Sequence, residues 1–118
     1  MVYFNKGIEY YNKKNYKKAI EMYCKSIELK ENETASMYNA AVCFIKLKNY
    51  INAIPLIKAA LERKKDSKYY FNLGYCYAML KESKLALIYF NRAWALDNDD
   101  TECEKAINIL LKQLTVDN

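Results

Sequence analysis

Three stretches of this chain repeat a set of residue types able to hold another polypeptide. Phe4, Asn5 and Ile8 recur as Tyr38, Asn39 and Val42, and again as Phe71, Asn72 and Tyr75, at intervals of 34 and then 33 residues. A carboxamide both donates to and accepts from a backbone peptide unit, so a column of Asn can hold an extended chain without reading its sequence. The aromatic and aliphatic members of each set would supply side-chain pockets. Lys68, four residues before Asn72, adds a cation able to pair with a carboxylate.

Bond-making chemistry is harder to find. The chain has no His, no Gly-rich phosphate loop and no HExxH, GxSxG or Walker pattern, so the usual nucleophile and base combinations are missing. No catalytic residue, cofactor or metal site is expected, and the protein reads as a non-enzyme. Asp99, Asp100, Glu102 and Glu104 gather at a predicted helix start, where the dipole accounts for them. The four Cys, at 24, 43, 76 and 103, include no CxxC, which argues against zinc or a disulfide framework. Cys43 and Cys76 stand 33 apart at equivalent sites and read as buried thiols filling small apolar spaces.

The elements that must position these residues are helices. Two Gly and one Pro in 118 residues favour rods joined by short turns. Gly7, Ala41 and Gly74 hold the 34 and 33 intervals, as do Ala19, Ala53 and Ala86, and Tyr23, Ile57 and Phe90. The clearest unit reads Tyr70-x2-Leu73-Gly74-x2-Tyr77, then Ala86-x3-Phe90, then Ala93, and this order of small and large residues resembles the tetratricopeptide (TPR) helix hairpin. Gly7 and Ala19 are small because helices crossing at roughly 8–10 Å leave no room for a branched side chain. The sequence departs from the family at Ser83, where Tyr16 and Tyr50 stand in the other units, and in lacking a closing Pro in any unit.

The resemblance implies an all-α fold: a right-handed superhelix of three antiparallel helix hairpins, a TPR-like α-solenoid, plus a capping helix, seven helices in total. The chain is expected to form a single domain over 1–118, with repeats at about 1–32, 33–65 and 66–98 and the capping helix at about 101–114. Asn32 or Thr34 is a candidate cap for the third helix, Leu47 is expected to face inward, and Pro55 should bend or loosen the fourth helix. In the seventh, Thr101 and Glu104 form a predicted capping box, and Cys103, Ala106, Ile107, Leu110, Leu111 and Leu114 form its inward stripe, with Trp94 beneath.

By the same resemblance, the first helix of each hairpin lines a concave groove that binds peptide segments. Its expected lining is Phe4, Asn5, Ile8, Tyr38, Asn39, Val42, Lys68, Phe71, Asn72 and Tyr75, with Tyr11 on the same face. Two roles stay open for the Asn side chains: gripping a ligand, or bonding to a neighbouring helix. Family members that hold acidic chaperone tails use a two-carboxylate clamp, of which Asn39 and Lys68 match two of five sites. Phe4, Ile8 and Asn72 stand where it has Lys, Asn and a cation, so a standard chaperone-tail receptor is not expected, and the apolar residues tilt the groove toward a hydrophobic ligand.

The net charge of +5 is uneven: +4 over residues 1–50, +4 over 51–85 and −3 over 86–118. That gradient would favour an acidic partner at the N-terminal end. The main expectation is a protein-interaction module or scaffold taking an extended or helical segment of another protein. The alternative is a self-associating homo-oligomer, suggested by apolar Ile51, Pro55, Leu85, Ile88 and Tyr89 on outer faces. RNA or DNA binding is the weakest reading, because the Lys residues cluster at turns. No run approaches the roughly 20 apolar residues of a membrane span, and a cytoplasmic protein with no membrane partner is expected.

Overall fold

A computed structural model describes residues 1–116 and divides them into two compact units, the first ending at Lys64 and the second starting at Lys65. Residues 117 and 118, included in the domain expected from the sequence, lie outside the described residues. The first unit holds α1 (Val2–Asn12), α2 (Tyr16–Glu28), α3 (Glu33–Lys46) and α4 (Tyr50–Arg63). The second holds α5 (Ser67–Met79), α6 (Ser83–Leu96) and α7 (Thr101–Val116). No strand occurs among the described residues. Within the first unit α1 packs on α2, α2 on α3 and α3 on α4; within the second α5 packs on α6 and α6 on α7.

The hairpin turns share one construction that the sequence conceals. Lys14, Lys48 and Lys81 adopt φ of 61°, 60° and 63°, and the next residue's N–H bonds back five residues, from Asn15 to Tyr10, Asn49 to Phe44 and Glu82 to Tyr77, each at 2.8 Å. Lys30, with φ 56°, ends α2 the same way, Glu31 N–H reaching the Ser26 carbonyl at 2.9 Å. This is the Schellman ending, whose left-handed residue is most often Gly. Here Lys fills all four, so the composition hides the turns. Asn15 and Asn49 then cap the following helices, their side chains accepting from Lys18 and Asn52 N–H at 3.3 Å.

Size complementarity sets how closely paired helices approach. A Cβ added to Gly7 would lie 2.5 Å from Tyr23 Cε1, and one added to Gly74 would lie 2.8 Å from Phe90 Cδ1. The missing side chain therefore makes room for the ring of the opposite helix. At the equivalent positions of the second hairpin stand Ala41 and Ile57, both fully buried. A methyl is gained on one helix where the ring is lost from the other.

The core follows the expected stripes with exceptions. Ala19, Tyr23, Ala40 and Cys43 form one buried cluster, with Phe4, Tyr10, Tyr11, Tyr16, Ile20 and Leu56 against it. Ala86, Phe90, Ala93, Cys103 and Leu110 form another, on which Trp94, Ala106 and Ile107 pack. Leu111 and Leu47, expected inside, are exposed: Leu111 lies past the buried edge marked by Leu110, and Leu47 is the C-cap of α3. α7 is capped by Asp100, not Thr101, its Oδ1 accepting from Glu102 and Cys103 N–H at 3.0 and 3.2 Å. α3 begins after Asn32 as expected, but with φ 47° and no side-chain cap bond. α4 runs unbroken through Pro55, which lies on its exposed face.

Two buried hydroxyls join α2 to α3. Ser26 Oγ donates to the Glu31 carbonyl at 2.6 Å and lies 2.9 Å from Ser36 Oγ, both serines being fully buried. Arg63 reaches Glu33 at 2.8 Å and ties the end of α4 to the start of α3. In the second unit the Cys103 thiol donates to the Phe90 carbonyl at 3.1 Å and seats α7 on α6.

Two predictions follow from this packing. Gly7→Ala gains roughly 1 kcal/mol of helix propensity but forces an overpacking cost of about 1–3 kcal/mol. Urea denaturation is expected to show net destabilisation, relieved when Tyr23→Ile is added to recreate the Ala41 and Ile57 pairing. Burial also pushes the Cys43 and Cys76 thiols from 9.0 to about 12, and Tyr23 from 10.0 to about 12. Below pH 9 these groups are protonated in folded and unfolded chains alike. Above it the unfolded chain ionises first, so stability falls between pH 9 and 12, by about 1.4 kcal/mol per pH unit for each group so caught. Melting midpoints across that range should show the fall, with a later onset in the Cys43→Ala, Cys76→Ala variant.

Candidate functional site

The residues singled out in the sequence fall on three helices. In the first unit Phe4, Asn5 and Ile8 lie on α1, and Tyr38, Asn39 and Val42 on α3; in the second, Lys68, Phe71, Asn72 and Tyr75 lie on α5. The first unit brings Ile8, Tyr38, Asn39 and Val42 together around one concavity of about 320 Å³, completed by Tyr11 and Tyr23.

This concavity is a consequence of the close approach at Gly7. With no side chain there, α1 settles against the Tyr23 ring, and the neighbouring Ile8 is left on the rim, 38% exposed. Tyr23, only 2% exposed, becomes the floor. On the far side Ala40 and Ala41, both fully buried, seat α3 in the unit and leave Asn39 and Val42 half-buried along the wall. Tyr11 is held edge-on by Tyr16, ring centroids 5.5 Å apart.

The polar groups inside are neutral. Burial, and secondarily the nearby Cys43 thiol, push the Tyr23 hydroxyl up to about 12, although a hydrogen bond from Asn39 acts in the opposite direction. Asn39 thus stands close enough to Tyr23 of α2 to act on its hydroxyl. None of the six lining residues carries a formal charge at neutral pH.

The remaining residues are placed differently. Phe4 does not line the concavity; its ring packs on Tyr23 with centroids 6.0 Å apart. Asn5 is exposed. In the second unit Phe71 packs on Phe90 at 5.3 Å, and Asn72 donates to the Lys68 carbonyl of its own helix at 3.2 Å. Tyr75 and the Lys68 side chain are exposed. The three Asn side chains, alike in sequence, therefore have three different environments.

Tyr23 is the site residue that the sequence reading assigned to the core alone. The available signal was its hydroxyl, carried where the other hairpins have Ile57 and Phe90. Among the described residues no helix is long and apolar enough to cross a membrane, and no cluster of His, Cys, Asp or Glu is arranged to hold a metal ion.

Comparison with known proteins agrees with this architecture. The Hsp70-Hsp90 organising protein of Plasmodium falciparum is 28% identical over 102 residues, covering 80% of this chain; the chain spans 18% of that relative's length. The first TPR domain of Spaghetti (RPAP3), solved with the HSP90 peptide SRMEEVD, superposes with a TM-score of 0.92 at 21% identity, covering 97% of this chain and 91% of that one. The TPR domain of Arabidopsis OM64 superposes with a TM-score of 0.89 at 26% identity, covering 95% and 93%. The tetratricopeptide repeat profile matches residues 2–33, 34–67 and 67–100 in tandem. The chain belongs to the tetratricopeptide repeat family.

Proposed function

We propose that this chain is a non-enzymatic protein-interaction module that grips a peptide segment of a partner protein on the faces of its first helices. The observation that carries the reading is the concavity between α1, α2 and α3, where Asn39 stands among apolar and aromatic walls. Concave, mostly apolar sites with a few placed polar groups are the usual form of a binding site. The Asn39 carboxamide can both donate to and accept from a peptide group. The relatives support a protein partner: one is named for organising Hsp70 and Hsp90. The basic surplus over residues 1–85, with the exposed cation of Lys68, favours acidic residues in the bound segment.

A second reading rests on exposed apolar side chains away from the concavity. Ile51 on α4 is 69% exposed, and Leu85 and Ile88 on α6 are also exposed, as a self-associating surface would require. Tyr89, grouped with them in the sequence, is instead stacked on Tyr70 and Tyr77. Nucleic-acid binding gains nothing from the concavity, whose lining carries no Lys or Arg to meet a phosphate.

Selection of binders from a random twelve-residue peptide library, followed by isothermal titration, tests the main reading. The double substitution Asn39→Ala, Asn72→Ala is expected to weaken the selected peptides by about tenfold or more, with the melting midpoint of the variant measured alongside. Unchanged affinity would remove the carboxamides from the account. Sedimentation velocity over a hundredfold concentration range addresses the second: a monomer throughout excludes self-association.

A further inference from the structure

The concavity of the first unit has a composition that selects its occupant. Its floor is the Tyr23 ring, its walls are Ile8, Val42, Tyr11 and Tyr38, and its one carboxamide is Asn39. At about 320 Å³ it lies at the lower end of the ~300–1,000 Å³ of small-molecule clefts, a size for one large side chain and not for a folded segment. We infer that this concavity receives a single uncharged side chain, aliphatic or aromatic, projecting from the partner's segment, while Asn39 holds the adjoining peptide group. The inference rests on the peptide-binding reading and names which part of the ligand enters.

Charge decides between the possible occupants. A carboxylate entering here would shed water against three phenol rings and two aliphatic chains with no cation in the lining. An ion buried without a counter-charge costs several kcal/mol even after relaxation, and neutral hydroxyl and amide donors do not supply the missing charge. An ammonium or guanidinium meets the mirror problem, because no carboxylate lines the site either. Tyr23 does not step in as an anion, since its hydroxyl stays protonated until about pH 12. An apolar side chain carries no such penalty, and its burial away from water is favourable.

The division of labour follows from where the charges are. Lys68 lies on the exposed face of α5, in the second unit, and the lining of the first-unit site is neutral. Acidic residues of a ligand would be read at exposed cations, and the neutral concavity would read one apolar anchor. Asn39, on the lining of the concavity, is the group that would hold the backbone over that anchor.

The test uses the full chain and the peptides selected from the twelve-residue library, each resynthesised with a blocked N-terminus and a free C-terminal carboxylate. Replacing one aliphatic or aromatic residue of the peptide by Ala is expected to weaken binding about tenfold or more, and by Asp still further. Amidating the C-terminus is expected to have no effect. On the protein, Ile8→Lys places a cation at a rim position already open to water. It is expected to weaken binding of the apolar-anchored peptide and to perturb the same peptide residue in a cross-scan.

Tighter binding in Ile8→Lys, or binding that needs a free carboxylate and ignores the apolar residue, would overturn the inference and leave the peptide reading standing. An Ile8→Lys variant that binds like the wild type would place the anchor elsewhere and also overturn it. Failure to select any peptide would instead overturn the peptide reading itself. The peptide scans need no protein variant, so the test survives any loss of folding in Ile8→Lys.

Discussion

The close approach of a side-chain-free position to an aromatic ring governs this structure. At Gly7 and Gly74 the backbone of one helix lies against the ring of the next, Tyr23 and Phe90, nearer than any added carbon would allow. Protein interiors are packed near crystal density, so a contact of this kind is either complementary or broken. The Ala41 and Ile57 positions show the same constraint met by a different division of volume. Once these pairs are in place, the axes of each hairpin are fixed, and with them the faces left over for function.

The site inherits its shape from that contact. Tyr23 belongs to the buried cluster of the first unit and also lines the concavity. A side chain with one apolar body and one polar tip is well suited to such a boundary. The consequence is that the floor cannot be altered for binding without altering how α1 sits on α2. Phe4 and Phe71 show a related economy, since both rest on the core ring below them and add apolar cover to it.

Among the described residues the fully buried hydroxyls stand at helix junctions. The Ser26 and Ser36 hydroxyls and the Glu31 carbonyl form a small buried set where α2 gives way to α3. The Cys103 thiol does the same between α6 and α7. Buried polar atoms left without partners are costly, so these bonds restrict which neighbour each helix accepts. Cys24 alone among the thiols is exposed; Cys43 and Cys76 act as small apolar side chains, as their repeat positions indicated.

Much of this was legible in the chain before any coordinates. The recurrence of Gly or Ala, Ala, and a large residue at 34 and 33 specifies six helices in hairpin order, the apolar stripe after Asp100 adds the seventh, and most members of the buried stripes follow. Helical periodicity and side-chain volume are local properties, and they repeat visibly along one dimension. The endings of the helices were less legible. Lys in a left-handed position and Asp100 as a cap are chosen by hydrogen bonds that a pattern of sizes does not record. Leu47 and Leu111 match the stripe yet point to water, because a stripe does not say where the neighbouring helix stops.

The repeat is written in the chain: which residues are small, which are large, and which faces of the first helices carry Asn beside aromatics. Packing added that Asn5, Asn39 and Asn72 are not equivalent, and that Tyr23 and Asn39, sixteen residues apart, line one neutral concavity. Size and spacing repeat along one dimension, whereas the distance between side chains on different helices is set by the whole packed unit, not by the repeat that each helix carries.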